Sequence, residues 1–439
     1  MRVRRSFVRR PSTGVVRFVG LSLLAFLPLA ATAQERVSPE SVGMSSERLE
    51  RLTETLEEYV VDGRLPGAVT LVMRDGKIAY LDAVGFRDRE AADPMETDDI
   101  FRIASQTKAL VSAAVMILQE DGALSINEPV YRLLPEFREA TVAVPQGDGF
   151  DIVPADRPIT IRDLLTHTAG VGWGTGIGAD LWVEAGIRGW YFADREEPIR
   201  ETIRRVADLP LEAQPGTRFV YGLSTDVLGA VIEEASGMSL DAFLRSRIFE
   251  PLGMTDTHFY LPAAKTDRLA VVYAGSNGGQ LERAPEGGGW LGGQGHYVEG
   301  PRVSFSGGAG LLSTARDYAR FLQAMLNGGE LDGTRIMSPK SVELMTTNHV
   351  GDLLHDAGAT GTGFGLGFQV VMDLGARGTL GSDGEFSWGG AYHSTYWGDT
   401  TEDLVVVYFT QVMPAPQLDD HAKLRNLVYQ AIVNGGPVR

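Results

Sequence analysis

Ser105 and Lys108, three residues apart, are the pair in this sequence best placed to do chemistry. Residues three apart share one face of a helix, so a helix that begins near Ser105 presents both side chains together. The serine hydroxyl then lies near the positive end of the helix dipole. An amine kept from water can take the proton of a serine hydroxyl and make it a nucleophile. The spacing alone also fits a capping serine beside a solvated lysine.

The segment after this pair favours the catalytic interpretation. Residues 109–118 are apolar except for Ser112, and a helix that is apolar all round must be buried on every side. Gly122 is placed to end that helix. A solvated lysine fits poorly at the start of a buried helix, so Lys108 is predicted to be shielded from water.

Two further segments could complete a site of this kind. Tyr221 stands just before a predicted helix, and its phenol beside Lys108 could pass a proton to a leaving group. The run Trp388-Gly389-Gly390-Ala391 begins a predicted strand, and its two glycines let a substrate approach the backbone closely. A backbone N–H from that strand edge and the N–H of Ser105 could hold an oxyanion. Taken alone, Tyr221 could be a core ring and the glycines a bend.

The elements around these segments predict a sheet with helices against it. Apolar residues at helical spacing predict a helix over 45–62, and Asp75-Gly76 between two apolar runs predicts a hairpin over 68–84. The other predicted helices are 160–168, 201–209, 224–236, 240–249, 314–326, 338–345 and 418–433. The other predicted strands are 368–372, 377–380, 391–397 and 404–412.

Strands near both ends of the chain, with helices between them, predict two domains. Residues 38–125 and 305–435 form the α/β domain, and residues 126–304 form a mostly helical domain with loop insertions. The glycine-rich stretch 273–300 is interpreted as loops around the site, with a plain connection as the equal alternative. A cleft between the two domains is where chemistry is expected.

The first 33 residues have the pattern of an export signal. Six arginines and no acid occupy the first 17 residues, and an uncharged, mostly apolar stretch then ends in Ala31-Thr32-Ala33, a small-residue cleavage site. An anchoring helix is the alternative, but the apolar run is short and contains Pro28. Arg4 and Arg5 also fit a twin-arginine signal. We therefore predict a cleaved signal peptide, a periplasmic or secreted protein, and no stable membrane anchor after cleavage.

Composition excludes several other functions. The net charge of −17 makes nucleic acid a poor partner, and the sequence has no cysteine for a disulfide or thiolate metal site. The seven histidines include no His-x-His or His-Glu-x-x-His, so no metal site is predicted. No Gly-x-Ser-x-Gly occurs, so the nucleophile elbow of the α/β-hydrolases is absent. No phosphate-binding loop or dinucleotide fingerprint occurs, so no cofactor is predicted either. Nothing in the sequence indicates an oligomeric state.

Ser105-x-x-Lys108, Tyr221 and Trp388-Gly389-Gly390, in this order, resemble the serine β-lactamase and penicillin-binding-protein superfamily. Within it, the sequence is most similar to the family VIII carboxylesterases, which are related to class C β-lactamases. Three further phrases belong to the superfamily pattern: residues 164–170, 251–255 and 307–314. The resemblance covers about 38–435 and implies a β-lactamase-like α/β (α+β) fold with an antiparallel sheet flanked by helices.

The resemblance also implies an acyl-enzyme mechanism. Ser105 would be the nucleophile, Lys108 the base that activates it, and Tyr221 an assistant in proton transfer and in deacylation. The N–H groups of Ser105 and Ala391 would hold the oxyanion. How Lys108 and Tyr221 divide the proton transfer is left open by the family pattern itself.

Departures from the β-lactamase pattern narrow the expected substrate. Leu223 stands where those enzymes carry an asparagine that meets the substrate's amide, and Trp388 stands where they carry a cation for its carboxylate. Both changes favour neutral esters, with Leu223, Trp388, Gly389 and Gly390 as substrate-binding residues. His393 stands where the family often has a small residue. It is the last candidate, and the alternative is a strand side chain turned away from the cleft.

The sequence therefore predicts an exported serine hydrolase, a carboxylesterase that acts on short-chain esters. The alternative within enzymes is a penicillin-interacting hydrolase of ester or amide substrates, either a weak β-lactamase or a D-amino-acid peptidase. The alternative of another class is a non-catalytic binder of peptidoglycan fragments or peptides. The presence of Ser105, Lys108 and Tyr221 together argues against that binder, because a protein without catalysis has no need of all three.

Overall fold

A computed structural model describes residues 34–276, 280–288, 292–416 and 418–434. The predicted signal peptide, residues 1–33, lies outside the described residues, as do parts of the glycine-rich stretch. The division into residues 38–125 with 305–435 and residues 126–304 stays a prediction.

The helices, in chain order, are α1 (Ser46–Val61), α2 (Thr107–Glu120), α3 (Ile161–Leu165), α4 (Ala179–Glu184), α5 (Ile199–Ala207), α6 (Ser224–Ser236), α7 (Leu240–Leu244), α8 (Glu250–Leu252), α9 (Ala315–Leu326), α10 (Pro339–Met345), α11 (Leu353–Asp356), α12 (Leu374–Arg377) and α13 (Asp420–Gln430). The strands are β1 (Gly67–Arg74), β2 (Lys77–Asp88), β3 (Asp93–Pro94), β4 (Phe101–Arg102), β5 (Thr141–Gln146), β6 (Gly149–Pro154), β7 (Tyr273–Gly275), β8 (Leu281–Arg283), β9 (Leu312–Ser313), β10 (Glu330–Leu331), β11 (Thr334–Arg335), β12 (Thr362–Phe364), β13 (Gln369–Val371), β14 (Phe386–Gly390), β15 (Ser394–Asp399) and β16 (Leu404–Thr410).

The first helix and hairpin form where the sequence predicts them. The Ser45 hydroxyl caps α1 by accepting a hydrogen bond from the backbone N–H of Arg48. Between β1 and β2, Asp75 and Gly76 both have positive φ, 51° and 72°, which is the two-residue turn that matches the twist of a hairpin.

The main sheet is antiparallel and buried on both faces. Among the described residues its strands run in the order β12-β13-β14-β15-β16-β1-β2-β3. Alternate residues of a strand face opposite sides, so Val405 and Val407 pack in the core that includes α2 and α9. Leu404 and Val406 pack in a second core with α1 and α13. This arrangement confirms the predicted antiparallel sheet flanked by helices.

The segment around Ser105 is held between this sheet and the helical region. A 3₁₀ turn, Ala104–Gln106, leads directly into α2, and every residue from Thr107 to Leu118 is buried. The helix ends at Asp121, and Gly122 has φ 73°, as predicted for the residue after a helix end. Just before the turn, β4 pairs with β9 of the distant segment 312–313. The buried helix and this pairing fix the position of Ser105.

Two sequence predictions need correction. Residues 377–380 are not a strand, because Asp373 caps α12 and Gly378, at φ 70°, ends it. The described residues of 273–300 form the hairpin of β7 and β8 and adjoining turns, and none of them lines the cavity that contains Ser105.

None of the helices in the described ranges combines the length and the apolar character that a membrane span requires.

Candidate active site

Ser105 lies at one end of a cavity of about 710 Å³. Its side chain is half-buried in the 3₁₀ turn before α2, and the preceding Ala104 has φ 43°, a left-handed conformation that non-glycine residues rarely adopt. Such strained positions persist only where the surrounding structure enforces them, and they are common at functional sites. The turn presents the Ser105 hydroxyl to the cavity.

Lys108 is buried directly behind Ser105. The side chain is in the first turn of α2 and the residue is 2% exposed. Its Nζ donates to Ser105 Oγ at 3.3 Å and to the carbonyl of Gly308 at 2.7 Å. Among the described residues it forms no ion pair, so neutral acceptors hold this amine. The structure therefore brings together the serine and lysine that the spacing pairs.

The loop that contains Gly308, whose carbonyl accepts from Lys108, is held by Asp226, a residue not predicted from the sequence. Asp226, fully buried in α6, accepts hydrogen bonds from Ser306 Oγ at 2.6 Å and from the backbone N–H of Gly308 at 3.1 Å. Burial raises the pKa of Asp226, while those bonds and the nearby Lys108 favour its ionised form. An acid directly before the apolar run 227–232 is the signal that could have identified it.

Tyr221 lies against Lys108 and is enclosed by other rings. Lys108 Nζ is 4.7 Å from the centre of the phenol ring, within the range of a cation–π contact. The rings of His167 and Trp173 lie 4.8 and 5.1 Å from it. The indole N–H of Trp388 donates to Tyr221 Oη at 3.0 Å, which leaves the phenol O–H free to donate elsewhere. Trp388 is thus a partner of Tyr221 as well as a cavity wall.

His167 supports this ring cluster as a neutral residue. It is 1% exposed, has φ 55°, and its Nδ1 has no hydrogen-bond partner in the part of the chain that the structure describes. Burial, reinforced by the nearby Lys108, holds the pKa of His167 well below its ordinary value. The ring therefore places an apolar edge behind Tyr221, where a charged group would be costly.

The strand end predicted to supply the second oxyanion donor lies beside the serine turn. A Cβ added to Gly390 would lie only 2.6 Å from the carbonyl oxygen of Ile103, so glycine is what lets β14 come this close. Ala391 follows in the turn to β15 and is exposed. Ser105, Trp388, Gly389, Gly390 and Ala391 all line the one cavity, so the predicted parts of the oxyanion hole meet there.

His393 also lines the cavity, but α13 holds it in place. Its Nε2 lies 2.6 Å from Oδ1 of Asp420, and its backbone carbonyl lies 3.1 Å from Nε2 of His421. Burial opposes ionisation of Asp420, yet hydrogen bonds from His393 and Tyr408 and the nearby imidazoles lower its pKa overall. His393 has φ 63°, so these contacts fix a left-handed turn directly after Ala391.

The same three side chains, His393, Asp420 and His421, are close enough to be considered as metal ligands, with potential ligand atoms within 4.8 Å of one another. The two imidazoles are stacked, however, with ring centres 4.0 Å apart and an angle of 18° between planes. A histidine nitrogen binds a metal close to its ring plane, so two parallel rings cannot both point at one ion. The arrangement is that of a hydrogen-bonded histidine–aspartate pair.

Leu223 is the one predicted substrate-binding residue that the structure places elsewhere. Its side chain is fully buried in the hydrophobic core at the start of α6, and it is not among the residues that line the cavity. The helix start turns this position inward, although Tyr221, two residues earlier, faces the site. This position contradicts the prediction that Leu223 contacts substrate.

Comparisons with known proteins identify the family of this chain. Residues 52–430 match the family described as Beta-lactamase. Esterase EstB of Burkholderia gladioli is 35% identical over 373 residues, which cover 82% of this chain and 89% of that protein. A lovastatin esterase of Penicillium rubens is 32% identical and covers 68% of this chain and 72% of its own length.

Solved structures agree as well. EstCE1, titled a hydrolase with promiscuous acyltransferase activity, is 29% identical and superimposes with a TM-score of 0.75 over 87% of this chain and 99% of that one. The predicted resemblance to the β-lactamase and penicillin-binding-protein superfamily, and to its esterases, is confirmed. The chain belongs to the Beta-lactamase family and is a serine hydrolase of small-molecule substrates.

Proposed function

We propose that this chain is an exported carboxylesterase that hydrolyses short-chain neutral esters through an acyl-enzyme on Ser105. The observation that carries the proposal is the position of Lys108 Nζ, buried behind Ser105, 3.3 Å from Ser105 Oγ and 4.7 Å from the Tyr221 ring. A nucleophile with a shielded base and a second proton carrier is the set of groups that acyl transfer requires.

In the first half-reaction, Ser105 Oγ attacks the ester carbonyl carbon. The hydroxyl proton passes to Lys108, directly or through the Tyr221 phenol, and the carbonyl oxygen becomes an oxyanion between the N–H groups of Ser105 and Ala391. When the tetrahedral intermediate collapses, the bond to the alkoxy oxygen breaks. The same proton is delivered to that oxygen, so the alcohol leaves neutral and the acyl group remains on Ser105.

The second half-reaction repeats these steps with water in place of the serine. Water attacks the acyl carbon and gives a proton to Lys108 or Tyr221, and the bond from the carbon to Ser105 Oγ then breaks. That proton returns to Oγ, which restores the serine and releases the carboxylic acid. The hydrogen bond from the Trp388 indole to Tyr221 Oη, 3.0 Å long, orients the phenol in both halves.

Trp388 supports esters over β-lactams. An indole in place of a cation forfeits a charged hydrogen bond to a substrate carboxylate, about 1.5–3 kcal/mol. That amounts to roughly 10- to 150-fold in kcat/KM. Leu223 adds nothing to this preference, because it is buried away from the cavity. We therefore expect nitrophenyl butyrate to be hydrolysed at least about tenfold more efficiently than nitrocefin.

The proposal is tested with the purified mature chain on nitrophenyl esters, nitrocefin and a D-alanyl dipeptide. Ser105→Ala should lower kcat on the ester by about 10⁶-fold, as loss of a serine nucleophile does. A fluorophosphonate should label the peptide that contains Ser105 and no other. Equal efficiency on nitrocefin would favour the β-lactamase alternative, preference for the dipeptide would favour the peptidase, and no turnover of any of them would favour the binder.

Export rests on the arginine-rich start, the apolar stretch and Ala31-Thr32-Ala33. Cleavage after Ala33 would leave Gln34 as the first residue. Amino-terminal sequencing of protein from the cell envelope fraction tests this, and a full-length chain retained in the inner membrane would contradict it.

A further inference from the structure

Among the described residues, the side chains that line the cavity include basic groups but no acidic ones, unlike the chain as a whole. Two arginines, Arg377 and Arg425, line it together with two histidines, His393 and His421, and no aspartate or glutamate of the described residues lines it. The chain as a whole has 57 acidic and 40 lysine or arginine residues. The cavity wall therefore has the opposite bias to the rest of the chain.

The acids that balance these bases are buried behind the wall. Glu385 and Asp399 are 0% exposed and Asp420 is 1% exposed. Their charges lie on the protein side, while the basic groups face the cavity. A negatively charged ligand in the cavity would meet the cations first and the anions at a greater distance.

Arg377 and Arg425 lie together in one part of the cavity wall, which we call the outer end. Both bind the buried carboxylate of Glu385: Arg377 Nη1 at 2.8 Å, and Arg425 with Nη1 and Nη2 at 2.7 and 2.9 Å. Arg425 also donates to the carbonyl of Leu380 at 2.9 Å and lies 4.4 Å from the Trp397 ring centre. One carboxylate that bridges two guanidinium groups holds them side by side.

Donor groups remain free at this end. An arginine has five N–H groups in a planar fork that suits a carboxylate. Within the described ranges, a single hydrogen bond, to Glu385, uses the Arg377 guanidinium. The side chains of Arg377 and Arg425 are still 15% and 12% exposed. Both arginines can therefore reach a ligand without releasing Glu385.

Strand register gives the distance from this end to the serine. Gly390 lies beside the turn that carries Ser105, and Ser387, three residues earlier in β14, pairs with Trp397. Arg425 lies over Trp397. Three residues of a strand span roughly 10 Å, and neighbouring strands lie about 5 Å apart, so the arginine end is at least roughly 10 Å from the scissile carbonyl.

We propose that the outer end of the cavity binds a carboxylate carried by the ester itself. The substrates would then be esters that are neutral around the scissile bond and carry an anionic group at least roughly 10 Å away, as in half-esters of medium-length dicarboxylic acids. This inference rests on the proposed function. The carboxylate takes no part in bond making, and the hydrolysis steps are unchanged.

The test uses two series of esters, because the carboxylate could belong to the acyl or to the alcohol part. One series is the mono-nitrophenyl esters of succinic, adipic and suberic acids. The other is the butyrate esters of ω-hydroxy acids of matching lengths. Each is compared with its methyl-capped analogue, which has the same length and no charge. We expect the free carboxylate to raise kcat/KM at least about tenfold in one series, with the optimum at the longer members, because an ion-paired hydrogen bond is worth about that much.

Arg377→Gln should bring the ratio of free to capped ester close to one. Arg335→Gln is the matched control, because Arg335 lies outside the cavity on β11 and pairs with Glu330. It should leave the ratio unchanged. If Arg377→Gln does not fold, the ratio of the unaltered enzyme at about 1 M NaCl replaces it, since salt at that concentration screens charges beyond about 3 Å.

The two proposals fail in different ways. Hydrolysis of the capped esters that depends on Ser105, with no preference for the free carboxylate in either series, would overturn this inference and leave the proposed function intact. A preference that survives both Arg377→Gln and high salt would also overturn it. Absence of ester hydrolysis would overturn the proposed function itself.

Discussion

The protein holds two basic side chains at this cavity in different ways: Lys108, buried behind Ser105 at what we call the inner end, and Arg425, in the cavity wall at the outer end. Lys108 contacts the Gly308 carbonyl, Ser105 Oγ and the Tyr221 ring, and makes no ion pair among the described residues. Arg425 binds the buried Glu385 through two nitrogens, and His393 pairs in the same manner with Asp420. At the inner end neutral acceptors contact Lys108 directly and the buried Asp226 contacts the Gly308 loop behind it, whereas at the outer end buried carboxylates contact the basic groups directly.

The difference follows from what each end has to do. A base that gives and takes protons must not leave an unpaired buried carboxylate each time its charge changes, because that would cost several kcal/mol. Within the described ranges, Lys108 has no carboxylate in direct contact, and Asp226 behind it keeps its hydrogen bonds from Ser306 and Gly308 when the charge of Lys108 changes. A group that only has to keep its place benefits from a direct ion pair, which fixes its geometry. The inner end is therefore suited to proton transfer and the outer end to position and recognition.

Lys108→Met is the most severe test of the inner end. Methionine fills a similar volume without a base, so kcat should fall by about 10⁴- to 10⁶-fold. Stopped-flow or long-time assays with a nitrophenyl ester measure the change. Lys340→Met is the control, because that lysine side chain is 84% exposed and outside the cavity. If Lys108→Met retained more than a few per cent of the activity, proton transfer would not depend on this amine.

Breaking the histidine–aspartate pair tests the outer end. His393→Asn keeps a residue type that tolerates φ 63°, and Asp420→Asn removes the charge, so each should loosen the turn that carries the Ala391 N–H. Loss of a whole oxyanion donor costs about 10²–10³ in kcat, and a loosened one should cost roughly 10- to 100-fold, with little change in KM.

The double variant should be no worse than either single variant, because both remove the same contact. Tyr408→Phe is the control: it removes the other hydrogen bond of Asp420, 2.6 Å long, without touching His393. Additive losses in the double variant would contradict a shared role.

The next prediction concerns His167, behind Tyr221 at the inner end, and the pH dependence of the free energy of unfolding. Its folded-state pKa is well below the ordinary value, so below about pH 6.5 the unfolded chain binds a proton that the folded chain does not. Its contribution to stability is therefore present at neutral pH and is lost as pH falls. By pH 5.5 the loss should reach about 1.4 kcal/mol.

His167→Asn, which tolerates the positive φ, should remove this share of the pH dependence. Urea unfolding of both proteins at pH 7.5 and 5.5 measures it. A difference between the two proteins that is independent of pH would contradict a neutral, buried His167.

Trp388→Phe should have the smallest effect on catalysis. It keeps an aromatic wall and removes the N–H that donates to Tyr221 Oη, a bond worth about 0.5–1.5 kcal/mol. The value of kcat/KM for a short ester should fall roughly 2- to 10-fold. Trp173→Phe is the comparison, because the Trp173 indole nitrogen has no partner among the described residues. An equal loss in both variants would show that ring volume matters and the hydrogen bond does not.

Much of the fold and half of the site follow from the sequence, because they depend on neighbours along the chain. The Ser105–Lys108 spacing, the apolar run after it and the Asp75-Gly76 turn each specify a local conformation, which the structure contains. The predicted strand at 377–380 is wrong for a local reason too, since Asp373 caps a short helix there and Gly378 ends it. Leu223 shows the limit of such reasoning, because which way a helix start faces depends on what packs against it.

The other half of the site is decided by tertiary structure. Lys108 meets Gly308, Trp388 meets Tyr221 and His393 meets Asp420 across 200, 167 and 27 residues. By itself the sequence determined the residues that could react and the local turns that present them. The folded chain determined which carbonyl, indole or carboxylate holds each of them. The physical reason is that those partners come together only when two sheet faces and a buried helix pack, and side-chain periodicity along a segment carries no information about contacts between distant segments.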